Sequence, residues 1–240
     1  GNDERFGVDL SPGSEVSSWR VIYSHPDFLK RYFDPLGLTF EVVARDRIFR
    51  SHDENRKFFR AALTRAFGQG DYSASVGFRT ESIRIDDLDT SVELPRTLVD
   101  SVGTEDYVGL TASLSANFLD NPRLPRFGWS ARWTNTLYPT AFGSDANLFK
   151  SEASYDKYFY LSPDRESAAP GIYVGLGAGL AVPFNEEEGS VNYGERFFFG
   201  GSRFGRGFRF RGVGPYEGAY PLGGETFLRA TTEYRVPLYT

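Results

Sequence analysis

Along most of the chain apolar and polar residues alternate with a period of two. From Ile172 to Val182 the segment puts Ile172, Val174, Leu176, Ala178, Leu180 and Val182 on one face and Tyr173, Gly175, Gly177, Gly179 and Ala181 on the other. Tyr107 to Phe118 repeats this, with Val108, Leu110, Ala112, Leu114, Ala116 and Phe118 opposite Tyr107, Gly109, Thr111, Ser113, Ser115 and Asn117. Such alternation predicts strands, and about nine to eleven tilted residues suffice to cross a bilayer's hydrocarbon core. Tyr72 to Glu81, Leu38 to Arg45, Phe127 to Thr136 and Leu228 to Val236 follow the same rule, with charge recurring on the second face. Val16 to Ser24, Phe58 to Phe67 and Leu148 to Tyr160 follow it less cleanly, which makes nine predicted strands in all. No window carries a helical apolar stripe better than it carries alternation.

A soluble sandwich also alternates, but it solvates its polar face and rarely fills it with glycine and serine. Small residues mixed with Arg and Glu suit the lumen of a polar barrel. The pattern therefore predicts an all-β fold, an antiparallel transmembrane β-barrel in a single domain over 1–240. Connections near 49–57, 86–105, 138–147 and 183–225 fall on one side, expected to be extracellular. Those near 25–36, 68–70, 119–126 and 161–169 fall on the other and are mostly shorter.

Composition agrees. The 240 residues include 26 Gly, 13 Pro, 22 Phe, 14 Tyr and 3 Trp, material for strands and turns. Cysteine is absent, which excludes disulfides, thiolate metal sites and cysteine nucleophiles. His25, beside Pro26, and His52, in a charged loop, are expected to be plain surface histidines, too few for a His-rich metal site. A net charge of −5 excludes a nucleic-acid partner, since phosphate neutralisation needs a basic face. No Gly-x-Ser-x-Gly elbow occurs, and the Gly-rich GGSRFGRG lacks the Lys-Ser/Thr ending of a P-loop. The expectation is a non-enzyme without metal or cofactor.

The loop from 195 to 224 carries the most specific signal: Phe199-Gly200-Gly201-Ser202, then Arg206-Gly207-Phe208-Arg209-Phe210, then Gly214-Pro215 and Leu222-Gly223-Gly224. In this order the letters resemble the hallmark loop of the BamA-type outer-membrane assembly and translocation barrels. That family includes TamA, the two-partner secretion translocators and the mitochondrial and plastid import barrels. Gly205 departs from it, standing where Val or Ile is usual. Tyr23-Ser24-His25-Pro26-Asp27-Phe28 and Asp120-Asn121-Pro122-Arg123-Leu124-Pro125 with Gly128-Trp129 echo two of its hairpins.

The resemblance implies an outer-membrane protein, bacterial rather than organellar, that folds and inserts β-barrel proteins through a lateral seam. A polypeptide-secreting pore of the same family and a barrel anchoring a fused enzyme are the alternatives. Implied partners are outer-membrane lipids, unfolded β-barrel substrates and accessory lipoproteins or other subunits of an assembly complex. Family barrels have sixteen strands, with the hallmark loop between the eleventh and twelfth. The chain is thus expected to be a partial barrel whose first strands, last strands and periplasmic repeats are missing.

Parity places Glu233 on the inward face of its strand. The resemblance implies that Arg206 anchors a lumen-inserted loop to inner-wall acids, with Arg206 and Glu233 as a latch. Gly207 is expected at positive φ where the loop doubles back, and Phe208 is expected to pack on the inner wall or the loop. Two other arrangements stay open: Arg206 as one of several solvated arginines, and Glu233 paired with Arg229 or Arg235. Arg211 is expected on the exposed return arm.

Overall fold

The structure is a computed structural model and describes residues 3–28, 36–161, 170–184, 191–201, 205 and 207–236. Its strands are β1 (Arg5–Ser11), β2 (Val16–Phe28), β3 (Leu36–Ile48), β4 (Asp53–Phe67), β5 (Tyr72–Asp86), β6 (Gly103–Asn117), β7 (Gly128–Tyr138), β8 (Leu148–Tyr160), β9 (Gly171–Pro183), β10 (Tyr216–Glu217), β11 (Tyr220–Pro221) and β12 (Thr226–Arg235). One antiparallel sheet of ten strands runs β1 to β9 in chain order and then to β12, while β10 and β11 form a small hairpin inside the long connection. Among the described residues the sheet is open, with β1 and β12 at its edges.

Ten strands replace the nine expected, because the polar-looking N-terminal stretch forms β1. There Phe6, Val8 and Leu10 are exposed on the outer face, and Gly7 and Asp9 pair with Ile22 and Arg20 on the inner one. The only α-helix among the described residues is one turn, α1 (Arg96–Val99), in the connection between β5 and β6.

Exposure follows the alternation. On β6 Leu110 and Leu114 are 49% and 54% exposed, on β9 Leu176 and Leu180 stand out, and on β12 Leu228 reaches 90%. Water gives no reason to display these side chains in register across neighbouring strands; lipid does. The opposite face is polar or small. Ser73–Ser115 and Ser75–Ser113 hydroxyls meet across β5 and β6 at 2.7 and 2.6 Å, and Thr111 meets Thr136 at 3.3 Å.

The connections at 87–102, 139–147 and 184–225 leave from one end of the sheet, together with the short ones at 12–15 and 49–52. At that end the inner face turns apolar. Ile83, Ile85, Leu98, Tyr107, Tyr138, Leu148, Ala181, Val191 and Tyr193 form the core, and two of them come from the long connection after β9.

Candidate functional site: a loop seated on the inner wall

The connection between β9 and β12 returns over the inner wall as a two-armed ribbon. Its arms are bridged at Phe197 and Gly224, by N–H···O bonds of 2.8 and 2.9 Å, and at Phe199 and Val213, by one of 3.1 Å. The ribbon needs sharp bends, and the motif glycines supply them, with φ of 115° at Gly200, 83° at Gly201, 89° at Gly207, 131° at Gly214 and 66° at Gly223. Gly200 is also sterically required, since a Cβ there would stand 2.2 Å from the Arg209 carbonyl oxygen. Gly224 lacks positive φ and serves as the bridge partner of Phe197, while Pro215 accepts the Leu222 N–H at 2.9 Å.

The first anchor is Glu195, 2% exposed, in a short turn (Tyr193–Glu195) that Asn192 caps by accepting the Gly194 N–H at 2.8 Å. Lys150 of β8 donates to the Glu195 carboxylate at 2.7 Å and to its carbonyl at 3.0 Å. Arg56 of β4 lies 3.7 Å from the same carboxylate and donates to the Gly194 carbonyl. Arg56 also reaches Glu81 at 3.0 Å, where Arg79 at 2.7 Å and the Tyr138 hydroxyl at 3.3 Å converge. Five alternating charges from β4, β5, β8 and the loop thus form one network. Burial of a carboxylate is tolerable only with such pairing.

The second anchor is Arg211, 7% exposed. It donates to Glu54 of β4 at 2.7 Å, and its guanidinium lies 4.0 Å from the Phe198 ring centroid and 4.4 Å from that of Phe49. The rings occupy the faces that hydrogen bonds leave free, a cation–π arrangement. Arg211 has φ of 56°, a left-handed conformation that costs a non-glycine residue about 1 to 2 kcal/mol and persists only when its surroundings dictate it. This corrects the expectation of an exposed return arm. The loop turns Arg211 back onto β4, whereas Phe208, expected to pack on the inner wall or the loop, is 60% exposed with its ring edge near Gly205 of the loop.

His52 is corrected as well. It is 2% exposed, shares a 2.8 Å contact with the Ser51 hydroxyl through Nδ1, stacks on Phe49 at 4.7 Å and meets Tyr193 edge-on at 5.6 Å. Burial first, and the Arg211 charge second, lower its pKa from 6.5 to about 4, so the ring sits neutral at the loop–wall junction. Burial likewise pushes the Tyr193 phenol up. His25 lies within β2, 3.6 Å from Glu4.

Of the expected latch, Arg206 lies outside the described residues, as does Ser202. Glu233 faces inward, in register with Tyr173, and accepts from Arg235 at 3.1 and 2.8 Å. Among the described residues no group of His, Asp and Glu is placed to hold a metal ion.

Three comparisons bear on this arrangement. The sequence model of the Omp85 superfamily domain matches residues 1–240. Outer membrane protein assembly factor BamA of Neorickettsia risticii (strain Illinois) is 26% identical over 245 residues, covering 99% of this chain and 31% of that protein. The crystal structure of BamA from Haemophilus ducreyi lacking POTRA domains 1–3 superposes with a TM-score of 0.77 at 17% identity, over 98% of this chain and 48% of that one. The chain thus spans about a third of the one relative and about half of the other.

Proposed function

This chain belongs to the Omp85 superfamily and resides in the outer membrane as β-barrel strands, and on that basis we propose that it is the loop-bearing part of a factor that folds and inserts β-barrel proteins into that membrane. The work is templating and involves no covalent step. An unpaired strand edge of the complete barrel offers its N–H and C=O groups to an incoming strand. The clients are unfolded β-barrel polypeptides, and the surroundings are outer-membrane lipids and accessory subunits of an assembly complex. Arg206 and Glu233 are proposed as a further loop latch, alongside the anchors at Glu195 and Arg211.

The observation that carries this reading over that of a secretion pore is the loop seat. Moving a polypeptide through the lumen past this end would require breaking the Arg211–Glu54 and Glu195–Lys150 pairs, each about 3 to 5 kcal/mol when one buried partner is stripped from the other. A loop held this firmly acts as a brace for the wall that presents the template. The 26% identity to a protein named as an assembly factor points the same way.

Reconstitution tests it. The full-length protein in proteoliposomes is expected to speed the protease-protected insertion of a urea-unfolded β-barrel client. Insertion no faster than into empty liposomes, with release of a soluble polypeptide across the bilayer instead, would overturn the reading in favour of secretion.

A further inference from the structure

The outer face has a polarity step near the loop end. Tyr23, Phe40, Ala61, Phe78 and Leu110 are successive cross-strand partners from β2 to β6, and Val21, Val42, Phe59, Thr80 and Val108 form the next row toward the loops. Beyond it comes Trp19, Ala44, Lys57, Ser82 and Asp106, and then Asp46, Asn55, Arg84 and Thr104. Apolar rows give way to charged ones at the Trp19 row, which marks the hydrocarbon boundary; tryptophan is at home there.

In that row the small residues Ala44 and Ser82 stand between larger neighbours. The result is a cleft of about 460 Å³, lined on the outer side by Trp19, Val42, Lys57, Phe59, Val108 and Asp106. Lys57 is exposed, and among the described residues it makes no hydrogen bond or ion pair. The Asp106 carboxylate is similarly without a partner, although the Asp106 backbone N–H donates to Asp145 at 2.7 Å. By contrast Arg84, one row further out, is neutralised by Asp86 at 2.7 Å. Lys57 and Asp106 sit two strands apart, about 10 Å between backbones, with the Ser82 hydroxyl between them.

A cation and an anion that share an apolar cleft at the boundary, each without a protein partner, need a ligand with both charges and a hydrocarbon tail. We propose that this cleft binds a phospholipid with a phosphoethanolamine headgroup, its phosphate on Lys57 and Ser82, its ammonium on Asp106 and an acyl chain along Val42, Phe59 and Val108. Charge complementarity selects this headgroup. A lipid carrying net negative charge would satisfy Lys57 but face Asp106, and a free phosphate would leave the apolar wall uncovered. The lysine stem lies along the aromatic wall while its ammonium reaches the headgroup level.

Native mass spectrometry of the full-length protein, released from nanodiscs holding equal phosphatidylethanolamine and phosphatidylglycerol, reads the site directly. The wild type is expected to retain phosphatidylethanolamine over phosphatidylglycerol by about fivefold, the worth of one interfacial charge contact. Lys57→Gln should lose retention of both lipids and Lys57→Arg should restore it. Asp106→Asn should abolish the headgroup preference while keeping retention. Lys157→Gln, a cation on β8 near the other end of the barrel, should leave the pattern unchanged. Equal retention by wild type and Lys57→Gln would overturn the site, and a wild-type preference for phosphatidylglycerol would overturn its headgroup.

Discussion

Replacing Arg211 by alanine removes a guanidinium that is 7% exposed and leaves Glu54, itself 8% exposed, without its 2.7 Å partner. Stripping one member from a buried pair costs about 3 to 5 kcal/mol. Glu54 keeps a weaker neighbour in Arg56 at 3.8 Å, which brings the expected loss toward the lower figure. Losing the contacts with Phe198 and Phe49 adds about 1 kcal/mol. The net expectation for Arg211→Ala is therefore about 4 kcal/mol. Backbone strain provides an internal check. Arg211 holds φ of 56°, which alanine must also adopt at a cost and glycine adopts freely, so Arg211→Gly should be milder by about 1 kcal/mol. Denaturant unfolding in detergent micelles gives these differences, and limited proteolysis of the 205–220 segment reports whether the loop has left the wall. A double substitution with Glu54→Gln should cost clearly less than the sum of the two single ones. If Arg211→Ala unfolds within about 0.5 kcal/mol of wild type and its loop is cut no faster, the residue is not an anchor and the argument from burial fails.

Glu195→Gln keeps the shape but leaves Lys150 without its 2.7 Å carboxylate; a loss of about 3 kcal/mol in the same unfolding assay is expected, with exposure of the loop base to protease. His52 titrates near 4 in the folded protein and near 6.5 when unfolded, so the unfolded state binds more protons between these values. Stability at the junction should thus be full above about pH 6.5, fall by up to about 3 kcal/mol as pH drops to about 4 and level off below; His52→Phe should flatten that slope, and an unchanged slope would refute the assignment. Leu110→Arg, two rows further into the membrane than the Lys57 row, should cost about 2 to 4 kcal/mol in lipid, whereas Val108→Arg, next to the Lys57 row, should cost about 0 to 1, as refolding into vesicles would measure.

The lipid-facing pattern was legible because it depends only on parity: each second residue of β6 and β9 meets hydrocarbon, so the sequence must be apolar there. β1 escaped because its alternation rests on Phe6, Val8 and Leu10 alone, set in a polar stretch. The start of β4 escaped because Glu54 and Arg56 face inward and look like a charged loop until the register with β5 is known. Local turn chemistry made the motif glycines readable, and Gly207 does lie at positive φ. The anchors were not readable. Arg211 and Glu54 are 157 positions apart, and His52 is buried by Tyr193, 141 positions on (193 − 52). Like Arg211, Arg209 follows a phenylalanine, yet it stays exposed. The one local signal at Arg211 is position: Arg211 follows Phe210 and precedes Gly212, and Glu195 similarly opens the Phe197-Phe198-Phe199 run, so each charge is tied to rings that seek the wall.

Whether the loop rests on the wall in the membrane can be asked with a disulfide, since the chain has no cysteine to interfere. A Cβ added at Gly194 would stand 2.8 Å from the Ile83 side chain, close enough for a bridge between Gly194→Cys and Ile83→Cys. Mild oxidation of outer membranes carrying this double variant should give near-complete cross-linking, read as a fragment that stays joined after cleavage between the two positions, with neither single variant responding. Free thiols at both positions under the same oxidation, in a barrel that is otherwise folded, would mean that the loop does not occupy the inner wall, and the brace would have no structural basis.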